Sequence, residues 1–346
     1  MADARENLTR YAETGALSAP AYQEALRLAG VAPDSAAWRV FLDRLLVVSG
    51  VLLVAVGLIF FVAFNWQELG RFAKFGLLEA MVLLPTAYAL VAGISTVRAQ
   101  AALLFAVLAL GGLLALTGQT YQTGADNYEL FLAWALLSLP WVLAGRWAPL
   151  WAVWWTLVNV AVALYLFEVL DPLRLVLFGR MRTGLMILVN LAGLALFEWA
   201  YTRAAGLRTR WLARYCVLLA LGAGSMAALM FILDGARDEN GFSVALYFLM
   251  MMAGAVFYQF ARRDLFPLAF GVLSLIVVIT AWLGKLMLHG SNWFGSLFLI
   301  AFFIIGASIG ATWWLRELNR SWHSGAGDAG AGGTPAVDAE AKGGPA

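Results

Sequence analysis

The residues best suited to chemistry cluster in one polar stretch. Gly118-Gln119-Thr120-Tyr121-Gln122-Thr123-Gly124-Ala125-Asp126-Asn127-Tyr128-Glu129 is rich in amides, hydroxyls and carboxylates and holds no basic residue. Asn65-Trp66-Gln67-Glu68 follows an earlier apolar run, and Glu79 and Glu168 interrupt two others. A charged side chain at the bilayer centre costs at least about 2.5 kcal/mol, so an ionisable group within a span is a functional candidate by default. Acidic, amide and hydroxyl groups facing one aqueous side suit a cation, a sugar or a polar headgroup. The expected ligand-binding set is therefore Asn65, Trp66, Glu79, Gln119, Tyr121, Asp126, Asn127 and Glu168. The competing reading is structural: Glu79 and Glu168 reach the interface, pair with Arg71, Lys74 or Arg174, and cap helix ends.

Soluble-enzyme chemistry finds no support. The chain has no GxxxxGK[ST], no HExxH, no CxxC, and no GxGxxG followed by a suitably spaced acidic residue. One cysteine, Cys216, lies in an apolar run and cannot form an internal disulfide. Two histidines, His289 and His323, with one buried thiol do not make a usual zinc site. No catalytic residue, metal or cofactor is expected. A net charge of +2, scattered along the chain, gives no nucleic-acid footprint.

These residues must be held by membrane helices. Of 346 residues, 62% are hydrophobic and only 13% charged, where a soluble domain carries roughly 25% charged residues. A bilayer core of about 30 Å needs roughly 20 apolar residues per helix. Ten runs approach that length, at 45–64, 75–94, 101–118, 128–145, 149–170, 183–202, 215–233, 242–260, 265–284 and 292–315. The expected fold is an all-α polytopic bundle with the bilayer as its first partner. Short connections make neighbouring helices antiparallel. The tightest joint, Arg146-Trp147-Ala148, decides whether the fourth and fifth runs are two spans or one re-entrant unit.

Counting Lys and Arg by side gives sixteen with the N-terminus and seven opposite. This predicts both termini in the cytoplasm. No cleavable signal peptide is expected from the polar first 44 residues. Residues 1–44 read as a helical preface. Gly15 stops a first segment, Ser18 and Pro20 start a second, and Trp38, Phe41 and Leu42 lead a third into the membrane. Residues 45–315 form the bundle, and 316–346 read as a disordered cytoplasmic tail. The 171–182 loop, with its three arginines, reads as an interfacial amphipathic stretch.

Within the spans, Asn159 and Asn190 are expected to hydrogen-bond between helices. Pro85 and Pro140 are expected to kink their spans. Gly306 and Gly310 form a GxxxG that permits close helix contact, within the chain or with a partner. Glu198 reads as interfacial.

A family resemblance rests on the order of these motifs. The Gly15-Ala16-Leu17-Ser18 turn precedes a Gly-rich span ending Phe61-Val62-Ala63-Phe64-Asn65-Trp66. Gly118–Asp126 follows, then Trp134-Ala135-Leu136-Leu137-Ser138-Leu139-Pro140. This resembles the predicted bacterial membrane proteins grouped as "domain of unknown function 2157", over roughly residues 8–165. The resemblance implies a bacterial inner membrane and supplies no activity and no catalytic residues.

Three functions compete on these grounds: binding or transport of a small polar solute or cation at the outward polar cluster; a structural or regulatory component acting through a membrane-protein partner or as a homo-oligomer; and an intramembrane enzyme acting on lipid-linked substrates, for which no motif speaks.

Overall fold

The computed structural model describes residues 8–9, 11–12, 14–29, 35–64, 68–122, 124–166, 181–203, 210–233, 241–287 and 293–331. Asn65, Trp66, Glu168, the 171–180 loop and residues 332–346 lie outside the described residues.

Among the described residues the fold is all helical. The elements are α1 (Ala19–Leu28), α2 (Ser35–Phe64), α3 (Arg71–Ala92), α4 (Val97–Tyr121), α5 (Asn127–Gly145), α6 (Ala148–Leu164), α7 (Arg182–Arg203), α8 (Trp211–Leu233), α9 (Gly241–Val256), α10 (Leu265–Met287) and α11 (Trp293–Ala331). Nine of them, α9 counted together with the π turn that extends it to Ala261, are long and apolar enough to cross a bilayer. The tenth, α6, has 17 residues and continues into a π turn at Tyr165 and Leu166. Ten apolar helices therefore stand at the ten expected runs.

Local chemistry explains the boundaries. Ser18 caps α1 by accepting from the Ala21 N–H, with Pro20 in the first turn, and Gly15 takes a positive φ of 76°. Thr96 caps α4 by accepting from the Ala99 N–H at 3.2 Å. The joint between α5 and α6 does turn: Arg146 closes α5 in the left-handed region, with Trp147 ahead of α6. Pro85 lies inside continuous α3. Beside it the Thr86 hydroxyl donates to the Val82 carbonyl at 2.6 Å and meets the Trp141 indole N–H at 3.0 Å. At its far end α11 differs from expectation, running as helix past 315 to Ala331. Leu318 and Trp322 pack there against Tyr258 and Leu268, which gives the extra turns an apolar seat.

Successive helices alternate in direction. The end holding the start of α2 is called proximal here, and the opposite end distal. At the distal end Arg71 of α3 lies over the ring of Tyr121 at the end of α4, 5.7 Å away. At the proximal end Gln100 of α4 donates to the Gly145 carbonyl closing α5.

Two packing centres organise the bundle. In the first half α4 packs against α2, α3, α5 and α6; in the second α8 packs against α6, α7, α9 and α10. Hence α6 joins the halves through a core of Trp155, Phe197, Leu212 and Cys216. A buried polar chain crosses this junction. The Trp155 indole N–H donates to Asn190 Oδ1 at 3.0 Å, and the Asn190 amide donates to Asn159 Oδ1 at 2.6 Å. Asn159 and Asn190 thus glue α6 to α7, as their mid-span positions imply. A second chain, Ser225–Ser274–Tyr247, links α8, α10 and α9 with 2.6 Å contacts. Asn190→Leu is expected to lower stability by about 1–2 kcal/mol, since interhelical bonds in membranes contribute roughly 0.6–2 kcal/mol. Unfolding in a mild-to-denaturing detergent titration reads this. A loss below about 0.3 kcal/mol would reduce the chain to a packing accident.

The outermost helices are left bare. Only 6% of α2's apolar stretch and none of α11's is buried within the chain. An added Cβ at Gly306 or Gly310 meets nothing within 4 Å, so the GxxxG is not used within the described chain.

Candidate functional site

The described members of the expected polar set do not gather at one point. Tyr121 stands at the distal end beside Arg71 and Phe75, with ring centroids 6.1 Å apart in the Phe75 pair. Asp126 precedes α5 and accepts the Glu129 N–H through its carbonyl; its side chain makes no capping bond. Asn127 opens α5. Tyr128 bonds to Glu129 and meets the ring of Tyr165 edge-on at 5.2 Å. Gln119, Tyr121, Asp126 and Asn127 are all exposed.

Glu79 is set apart from these. It lies eight residues beyond Arg71, about 12 Å along the axis at 1.5 Å per residue. The seam of α3 with α4 is made by Leu78, Met81 and Val82, and Glu79 is exposed, off that seam. Glu79 and Gln119 make no ion pair or hydrogen bond among the described residues.

A different set of charges does converge, at the proximal end. The short turn Arg262-Arg263-Asp264 joins a π-helical turn, Phe257–Ala261, to α10. A π turn widens the helix and is common at functional sites. Arg263 takes φ 46°, a left-handed value. The turn is fixed by Arg262 N–H to the Phe257 carbonyl at 3.0 Å and Asp264 N–H to the Tyr258 carbonyl at 3.2 Å.

Asp264 is buried and receives both arms of Arg214, Nε and Nη2, each at 3.0 Å. One of its oxygens also accepts the Phe266 N–H at 3.1 Å, which caps α10. Arg214 spreads over the Phe266 ring, 5.3 Å from the centroid. Alongside, Arg262 donates to Glu198 at 2.8 Å, and Tyr258 lies within electrostatic reach of Glu198, Asp264 and Arg262. Four helices, α7 to α10, are thus tied by two ion pairs at one level.

Sequence reasoning did not assemble this cluster. In the sequence Glu198 reads as interfacial, Arg214 and Arg262 are two of many scattered arginines, and Asp264 is a lone acidic residue ahead of an apolar run. The available signal was Arg262-Arg263-Asp264 set between two apolar runs.

The pairs neutralise each other, so the cluster acts as a clasp. It holds no free base or nucleophile, and Cys216 is buried in the α6–α8 core. Among the described residues no three His, Cys, Asp or Glu side chains approach closely enough to hold a metal ion. Next to the clasp a groove of about 840 Å³ opens among α7–α11. It is lined almost wholly by apolar groups, with Val217, Leu246, Met251, Gly271 and Trp314 on its walls and Tyr258 beside the charges.

The ten apolar helices, with the polar Gly118–Asp126 sequence running from the end of α4 toward α5, can be set beside known families. Residues 9–151 match the family described as "Predicted membrane protein (DUF2157)". The match covers α1 to α5 and ends within the first turn of α6, so the clasp and its groove lie beyond it. No curated protein and no solved structure matches the chain.

Proposed function

We propose that this membrane protein binds a chain-bearing, lipid-like molecule in the groove among α7–α11. The supporting observation is the groove itself: about 840 Å³, apolar, with Tyr258 on its wall and Glu198, Asp264 and Arg262 within electrostatic reach of that tyrosine. Ligand sites typically occupy 300–1,000 Å³ with few polar groups. An apolar chain would fill the groove while a polar end meets the charges beside Tyr258. The sixteen-to-seven distribution of Lys and Arg supports a cytoplasmic proximal end and cytoplasmic termini; the family match supports a membrane location.

The test uses a photoactivatable diazirine phospholipid in nanodiscs, with labelled peptides mapped by mass spectrometry. Labelling is expected to concentrate on α9 and α10 and to fall several-fold in Gly254→Leu. Gly254 lines the groove and has open space where a Cβ would sit, so the variant fills the groove without a clash. Equal labelling of α2, α11 and the groove would mean ordinary annular lipid and would end this reading.

A second reading, binding of a small polar solute or cation at the distal end, is favoured by Glu79, a carboxylate without a partner among the described residues at membrane depth. A ligand at a hundred times its dissociation constant stabilises a fold by about 2.7 kcal/mol. A thermal shift with a cation or sugar, lost in Glu79→Gln, would move the assignment there. Partner-dependent action is favoured by the bare faces of α2 and α11; crosslinking in intact membranes checks it.

A further inference from the structure

The first half of the bundle carries its own cleft, away from the groove among α7–α11. At the proximal end α2, α3 and α4 together border it. The mouth, about 440 Å³, is lined by Asp43 of α2, Tyr88 and Ala92 of α3, and Thr96, Val97 and Arg98 around the start of α4. Val47, Tyr88 and Arg98 also line a second space of about 590 Å³. That space runs deeper between the same helices past Gly50, Val54, Leu84, Ala102 and Phe105. The two share their wall residues and form one amphipathic trough, polar at the membrane boundary and apolar below.

The polar mouth is unusual in its charges. Asp43 and Arg98 face one cavity, yet neither is ion-paired or hydrogen-bonded among the described residues. Both are exposed, as is Tyr88. The mouth also meets the N-terminus of the 25-residue α4. Thr96 spends its hydroxyl on the cap, donating to Gly93 O and accepting from Ala99 N. The partial positive charge of that helix end adds to Arg98 on one side of the mouth, while Asp43 stands on α2. The cleft therefore presents an anion-binding and a cation-binding corner above an apolar channel.

We propose that this cleft binds a zwitterionic aminophospholipid, its phosphate against Arg98 and the start of α4, its primary ammonium against Asp43, and one acyl chain in the trough. The charge pattern selects among lipids. An anionic headgroup without an ammonium leaves Asp43 unmatched and repelled. A quaternary ammonium has no N–H to donate to the carboxylate. Only a headgroup with both a phosphate and a primary ammonium satisfies both corners. This site goes beyond the groove among α7–α11 and shares no residue with it.

The experiment is native mass spectrometry of the full chain released from detergent with phosphatidylethanolamine, phosphatidylcholine or phosphatidylglycerol of matched chains. Wild type is expected to prefer phosphatidylethanolamine by about tenfold, the difference one charge-assisted hydrogen bond makes. Asp43→Asn is expected to erase the preference over phosphatidylglycerol, and Arg98→Gln to weaken all three. Both residues are exposed, so neither change should cost the fold. Gly50→Leu fills the trough, where no atom lies within 4 Å of an added Cβ; it is expected to weaken long-chain lipids most. Equal binding of the three lipids to wild type would overturn the proposal, as would a preference for phosphatidylethanolamine that survives Asp43→Asn. Gly254→Leu is expected to leave this preference intact, which separates the two sites.

Discussion

Asp264→Ala is expected to destabilise the protein by about 2–4 kcal/mol, in the range set by breaking a buried ion pair. The carboxylate serves three donors: two from Arg214 at 3.0 Å each, and the Phe266 N–H at 3.1 Å. Removing it unmakes the cap of α10, a loss of about 1 kcal/mol by itself, and strands the guanidinium. Arg214 retains 39% of its side-chain exposure, so water compensates in part, and the loss stays below that of a fully sealed pair. Asp264→Asn should separate the terms. An amide oxygen still caps α10 and accepts one bond from Arg214, leaving a loss of about 1–2 kcal/mol. Glu198→Gln should cost less again, since Arg262 makes a single 2.8 Å contact between partly exposed groups. Detergent unfolding orders the three variants, and hydrogen exchange across 262–268 should rise most in Asp264→Ala. If all three behave alike, the cluster is a solvated rim rather than a clasp.

How far the sequence discloses this molecule depends on the range of the interaction concerned. Spans are local: twenty apolar residues must be helical in a bilayer because the backbone has no other donor or acceptor there. Hence the ten runs reappear as α2 to α11, and Ser18, Pro20 and Gly15 act where their own chemistry puts them. Asn159 and Asn190 were legible for the same reason, since an amide at mid-span has few alternatives to another amide. The polar clusters are long-range and were not legible. Tyr121 and Glu79 share a side in a linear reading, yet Glu79 is exposed, about two turns below the Arg71–Tyr121 contact. Conversely, Glu198 and Arg262 are 64 positions apart and Arg214 and Asp264 are 50 apart. Both pairs form only once α7 to α10 have packed. The continuation of α11 past 315 has a similar origin: Leu318 and Trp322 find a seat on Tyr258 of the π turn and Leu268 of α10 that composition alone does not reveal.

The other large effect expected is at Gly193, where the two halves meet. A Cβ there would lie 2.2 Å from Trp155 Cζ2 and 2.6 Å from Cε2, well inside contact distance. The ring has little room to yield. Trp155 is 6% exposed, its indole N–H is bonded to Asn190, and it meets Phe197 edge-on with centroids 5.7 Å apart. Gly193→Ala must therefore push α6 from α7 or drive the indole off Asn190. Overpacking of this kind costs about 1–3 kcal/mol, and losing the indole bond adds roughly 0.6–1.7 kcal/mol. Together they give about 2–4 kcal/mol for a single methyl group. Gly111 against Trp134 and Gly224 against Tyr247 repeat the arrangement in other seams, but Gly193 stands where α6 joins the halves. A double-mutant cycle tests whether the clash is the cause. Trp155→Phe forfeits the indole bond but removes the crowding atoms, so in the Gly193→Ala background it should restore about 1–2 kcal/mol relative to additivity. Strict additivity would mean that the helices separate freely here, and that the halves are held together by the Trp151–Phe197 and Thr156–Tyr215 contacts nearby instead of by the fit of an indole against a bare backbone.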